Sequence, residues 1–138
     1  MTLTKHYLKH LTYMVNGAAI EVHKYLGPGL LESVYQDCLA YELTKRNIRF
    51  TSELKVPVIY DSMELNVQLR CDLFIENCLV LELKSAEGFI PIHEAQLLTY
   101  MRLLNAPKGI LFNFNVVNLY KDGQKTFVNK LFGRLPES

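Results

Sequence analysis

Asp72 and the tripeptide Glu82-Leu83-Lys84, ten residues further on, are the groups in this chain best suited to chemistry. On neighbouring strands they place two carboxylates and an ammonium group on one face of a sheet. Such a set can hold a hard cation through oxygen ligands beside a phosphodiester. The cation lowers the pKa of its bound water and shields phosphate charge, and the lysine can orient the nucleophile.

Convergence depends on strand register, which the apolar pattern predicts. Leu65, Val67, Leu69, Cys71, Leu73 and Ile75 alternate with Glu64, Asn66, Gln68, Arg70 and Asp72. Leu79, Leu81 and Leu83 then alternate with Cys78, Val80, Glu82 and Lys84. A three-residue loop, Glu76-Asn77-Cys78, pairs Ile75 with Leu79, Leu73 with Leu81 and Cys71 with Leu83, and sets Asp72 opposite Glu82. A two-residue loop puts Asp72 opposite Leu81 and splits the apolar rows between faces, which a half-buried sheet penalises. The favoured register also sets Arg70 opposite Lys84, a like-charge pair that an anion would relieve. Taken alone, these four charged residues describe a solvated sheet face equally well.

The elements that must position them follow from periodicity and punctuation. Leu8, Leu11, Val15, Ala18, Val22 and Leu26 predict a first helix from about Thr4 to Tyr25, ended by Gly27-Pro28-Gly29. A second helix runs from about Leu30 to Arg46. Strands follow over Phe50–Tyr60, with Pro57 marking an edge or bulge, and over Glu64–Ile75 and Leu79–Lys84. A third helix starts near Pro91 and ends before Pro107. Ile110-Leu111-Phe112 reads as an interior strand, and a last short strand lies near Thr126 to Leu131 after the Asp122-Gly123 turn. This order predicts an α/β fold: a three-layer α/β/α sandwich with a central mixed sheet and a right-handed crossover through the third helix.

Three further groups can reach the site. Glu32, in the first turn of the second helix, is either a carboxylate that complements the helix dipole or a third carboxylate aimed at the cation. Gln96 and Tyr100 share one face of the third helix with His93. As a pair facing Lys84 they could bond a phosphate or the lysine, though a helical Tyr is most often a core aromatic with a wet hydroxyl. His93 is either a phosphate or metal contact or a structural histidine.

The ordered set Asp72, Glu82-Leu83-Lys84 and Gln96-x-x-x-Tyr100 resembles the PD-(D/E)XK nuclease superfamily, particularly the branch near RecB-type exonucleases. More narrowly, Gly29-Leu30-Leu31-Glu32-Ser33-Val34-Tyr35 is similar to the motif of the small prokaryotic GxxExxY family. The resemblance spans roughly Glu21 to Lys125. It implies a restriction-endonuclease-like αβββαβ core and a nuclease acting on nucleic acid, with DNA the expected substrate. It further implies Mg²⁺ or Mn²⁺ held by Glu32, Asp72, Glu82 and the Leu83 carbonyl. Lys84 then orients or deprotonates the attacking water, Gln96 and Tyr100 steady the phosphate or the lysine, and Arg70 and His93 are substrate contacts. The chain departs from relatives carrying an iron–sulfur cluster, because its three cysteines cannot supply four ligands.

At 138 residues and 49% hydrophobic content the chain is expected to form one domain over residues 1–135, with 136–138 as a loose tail. No apolar run approaches the ~20 residues of a membrane span, and Lys5, His6, Lys9 and His10 lack the apolar core of a signal peptide. Cys38, Cys71 and Cys78 suit neither a disulfide framework nor a zinc site, so a reducing cytoplasm is the expected compartment. The net charge of +1 gives no strong electrostatic case for nucleic acid. It leaves open a second function, a nuclease-fold interaction or binding module acting in an assembly. Hydrolysis of a small phosphorylated substrate in a closed pocket is a third. A homodimer gripping a duplex is also compatible with so small a core.

Overall fold

A computed structural model describes residues 2–138. Helix α1, Lys5–Leu26, buries the stripe Leu8, Leu11, Val15, Ala18 and Val22. Thr4 caps it, its Oγ1 accepting the Tyr7 N–H at 3.0 Å. Two more first-turn donors are satisfied from the other end of the chain. The Lys5 and His6 amides donate to the Pro136 and Glu137 carbonyls, both at 2.9 Å. The expected loose tail is therefore docked through these two residues. Gly27 and Gly29, with φ of 70° and 98°, turn the chain into α2, Glu32–Lys45.

The remaining elements are β1 (Phe50–Lys55), β2 (Ile59–Tyr60), β3 (Met63–Glu64), β4 (Arg70–Ile75), β5 (Leu79–Lys84), α3 (Pro91–Leu103), β6 (Lys108–Asn113), α4 (Leu119–Asp122), β7 (Gln124–Val128) and α5 (Lys130–Gly133). The main sheet has the order β1-β4-β5-β6-β7. Its pairs are antiparallel except β5–β6, which is parallel and joined through α3. Leu73, Ile75, Leu79, Leu81, Leu83, Ile110 and Phe112 pack against α1 and α2. Val80 and Leu111, on the other face, pack against Leu97, Tyr100 and Met101 of α3. The predicted three-layer arrangement around a mixed sheet is what the chain adopts, while the short strands β2 and β3 and the short helices α4 and α5 add to the predicted element order. Among the described residues no helix is long and apolar enough to cross a membrane.

Two expected strands are broken. The Val56 amide donates to the Leu69 carbonyl and the Leu65 amide to the Val58 carbonyl, so two steps on one arm face four on the other. Such a bulge bends a ribbon away from its sheet. Pro57 lies at the bend, and β2 and β3 pair separately beyond it. The alternation of Leu65, Val67 and Leu69 survives only as partial burial.

The second break lies inside the sheet. Ser52 pairs with Leu73 and Leu54 with Cys71, but Glu53 and Asp72 between them form no bridge, and Glu53 has φ 53°. The faces of both strands switch there. Leu73 packs under α1 and α2, whereas Cys71 packs with α3 and has Leu54 beside it. Cys71, expected on the Leu73 face, is thus on the opposite one. The last strand ends at Val128, earlier than expected, because Asn129 caps α5 through a bond from the Leu131 amide.

Candidate active site

The β4–β5 hairpin turns through Glu76, Asn77 and Cys78 and pairs Ile75 with Leu79, Phe74 with Val80 and Leu73 with Leu81. That register is the one the apolar rows predict. The ladder stops there, and the next residues on the two strands are Asp72 and Glu82. Their side chains take over from backbone pairing. The Asp72 N–H donates to Glu82 Oε2 at 3.1 Å, and the Leu83 N–H donates to Asp72 Oδ2 at 2.8 Å. These bonds engage one oxygen of each carboxylate. Gln36 of α2 supports the same point, its Nε2 donating to the Asp72 carbonyl at 3.3 Å and to Glu53 Oε1 at 3.0 Å.

Burial raises the pKa of both carboxyls. Glu82 is only 3% exposed, and the Asp72 charge beside it adds to the effect, raising its pKa to about 9. Asp72 is raised chiefly by burial; its bonds to Glu82 and Leu83 and the Lys84 charge pull it partly back. The dry pair therefore favours keeping a proton on Glu82. Lys84, half-buried at the end of β5, forms no ion pair among the described residues, so its ammonium group is not tied to either acid.

The other candidate residues are placed unequally. Glu32 is exposed at the start of α2, where its Oε2 accepts the Ser85 N–H at 3.4 Å, one residue beyond Lys84. Gln96 donates to the Tyr100 hydroxyl at 3.0 Å. Tyr100 is buried, and burial followed by the charges of Glu82 and Asp72 raises its pKa. His93 is partly exposed on the first turn of α3. Arg70 departs from its expected place. It lies opposite Lys55 of β1 instead of Lys84, because the β4–β5 ladder ends before reaching it, and its guanidinium donates to Gln68 Oε1 and the Glu53 carbonyl. The like-charge pair of the sheet is thus Arg70–Lys55.

Residues 9–127 match the family model of the PD-(D/E)XK nuclease superfamily. The chain belongs to that superfamily. No curated protein and no solved structure matches it. Membership of the PD-(D/E)XK superfamily points to a nuclease-type function, with nucleic acid as substrate, and members generally use divalent metals such as Mg²⁺. The residues present fit such an ion in kind. Two hard carboxylates lie side by side, Glu82 buried and Asp72 half-buried, and the Asp72 charge disfavours that of Glu82, which a cation relieves. They do not form a complete cage: among the described residues no three His, Cys, Asp or Glu groups are gathered so as to hold a metal ion.

Several supporting residues lie outside the acidic set. Tyr35 is fully buried and stacked on Phe114 at 4.4 Å, and its hydroxyl donates to the Gly27 carbonyl at 2.6 Å and accepts the Leu30 N–H at 3.2 Å. It thereby sets the loop that leads to Glu32. Asn113, 1% exposed, accepts the Ala86 and Asn115 amides and donates to the Ala86 and Gly88 carbonyls, pinning the segment between Lys84 and α3. In the sequence Asn113 stands out only as a polar residue closing an apolar strand, and Gln36 not at all.

Proposed function

We propose that the protein is a metal-dependent nuclease that hydrolyses phosphodiester bonds, with DNA as its substrate. Adjacency of the half-buried Asp72 and buried Glu82 carboxylates, one residue pair past the end of the β4–β5 ladder, carries this reading. Mg²⁺ or Mn²⁺ is held by these two side chains and the Leu83 carbonyl, and when bound supplies an acidified water and a counter-charge for the phosphate. Glu32 completes the set by leaving Ser85; its bond there is long and its side chain exposed. Lys84, which forms no ion pair among the described residues, would orient the attacking water or, in its neutral form, deprotonate it. Gln96 and Tyr100, already bonded to one another, orient the phosphate or the lysine, and His93 and Arg70 contact the strand. Within the superfamily we place the chain with the GxxExxY proteins of the RecB-type branch, on Gly29 to Tyr35, and in a reducing cytoplasm, on its three free cysteines.

A net charge of only +1 favours a second reading, a weakly cleaving nuclease-fold module that binds nucleic acid or a partner within an assembly. Labelled single-stranded, duplex and branched DNA, incubated with Mg²⁺ or Mn²⁺, separates the two. Cleavage by the wild type that falls roughly 10²–10⁴-fold in Lys84→Ala supports the nuclease. A folded wild type that takes up Mn²⁺ and cuts none of the substrates supports the module.

A further inference from the structure

We propose that the β2–β3 hairpin is a stacking arm for unpaired bases, receiving them on Tyr60 and Met63 while the bound strand's backbone passes Lys55 and Arg70. The inference rests on the nuclease reading for its direction, since the bound strand runs from the arm toward Asp72 and Glu82. Topology places the arm at the site. β1 ends at Lys55, β4 begins at Arg70 and β5 ends at Lys84, and β4 is antiparallel to both neighbours. These three residues therefore lie toward one end of the sheet, and the hairpin extends β1 and β4 beyond it.

The arm's tip has no role in either core. Ile59, Tyr60 and Met63 are 65%, 70% and 55% exposed and belong to neither buried cluster. Asp61 and Ser62 turn the tip with φ of 47° and 71°, a left-handed pair made without glycine, and present Tyr60 directly opposite Met63. Two bridged pairs give such a ribbon little stability of its own. Its base carries the complementary charge. Lys55 and Arg70 are register partners, both exposed, and neither makes an ion pair among the described residues. Like charges across an antiparallel pair repel, and a phosphate between them removes the repulsion.

Cations at the root and Tyr60 paired with Met63 on one face of the tip form the combination that tracks a single strand: phosphates below, base faces above. Base faces are open to side chains only where the strand is unpaired. Tyr60 lies five residues past Lys55, at most roughly 17 Å at the ~3.4 Å rise of a strand, so its base is a few nucleotides from the cleaved bond.

Binding of single-stranded and blunt duplex DNA, followed by fluorescence anisotropy in a chelator, tests this. A 2-aminopurine probe stepped along the strand reports stacking. Tyr60→Ala is expected to weaken single-strand binding roughly 5- to 150-fold and abolish the 2-aminopurine response at one position. Lys55→Ala is expected to lower the salt slope by about 0.7. Wild-type single-strand binding by both Tyr60→Ala and Met63→Ser overturns the arm and, if metal-dependent cleavage persists, leaves the nuclease intact. Tip-dependent binding without any cleavage keeps the arm and overturns the nuclease. A wild type that binds no nucleic acid overturns both. Tip substitutions that abolish self-association in sedimentation and leave DNA binding unchanged overturn the arm in favour of a dimer contact.

Discussion

Glu82 carries a conflict between burial and charge that sets the behaviour of the metal-free protein. Its folded pKa is raised well above the ordinary carboxylate range, to about 9, so across that interval the native state binds more protons than the unfolded chain. Stability must then fall as pH rises. In a chelating buffer the denaturation midpoint is expected to decline from pH 5 to pH 9. Glu82→Gln should flatten that decline and stabilise the metal-free protein near pH 8 by ~1 kcal/mol or more. Equal pH slopes for the two proteins in urea titrations would sink this account of the pair. The adjacency of Asp72 and Glu82 was readable in the sequence, because the alternative two-residue loop splits the rows of Leu73, Ile75, Leu79 and Leu81. The supposed Arg70–Lys84 pair was not real, since side chains replace the ladder at Asp72 and release Arg70 to β1.

Among the elements, α2 shows how a loop places a candidate ligand. Leu31 offers it no side-chain cap, so the geometry of its start rests on Gly27, Gly29 and the Tyr35 hydroxyl. Tyr35→Phe keeps the stack on Phe114 and deletes both hydroxyl bonds, leaving the Gly27 carbonyl and the Leu30 amide without that partner. A loss of roughly 1–3 kcal/mol is expected in denaturant unfolding. An unchanged midpoint with unchanged m would show that the loop holds itself. Helices α1 and α3 could be read from apolar spacing and from Pro91, since a stripe of buried side chains leaves its period in the sequence. The bulge over Leu65–Leu69 and the face switch at Glu53 and Asp72 could not. Alternation records which residues are half-buried, not how many steps the opposite arm takes or the sign of a φ angle.

At the scale of the whole molecule, residues 136 and 137 dock on the start of α1, where their carbonyls complete its first turn. Removing residues 136–138 should cost about 1 kcal/mol and lower the thermal midpoint by a few degrees. A truncated chain that melts with the wild type would show that water serves those amides equally well. The layered architecture was legible because a helix, three strands, a helix and a strand admit few right-handed arrangements. The docking of residues 136–138 was hidden because backbone carbonyls carry no sequence mark. The central claim, that Asp72 and Glu82 form a cation site served by Lys84, is tested most directly by calorimetric titration with Mn²⁺ of the wild type, Asp72→Asn, Glu82→Ala and Lys84→Ala. The account predicts uptake by the wild type, its loss in Asp72→Asn and Glu82→Ala, and its retention in Lys84→Ala. Mn²⁺ uptake that survives both carboxylate substitutions, or that the folded wild type lacks, would contradict it.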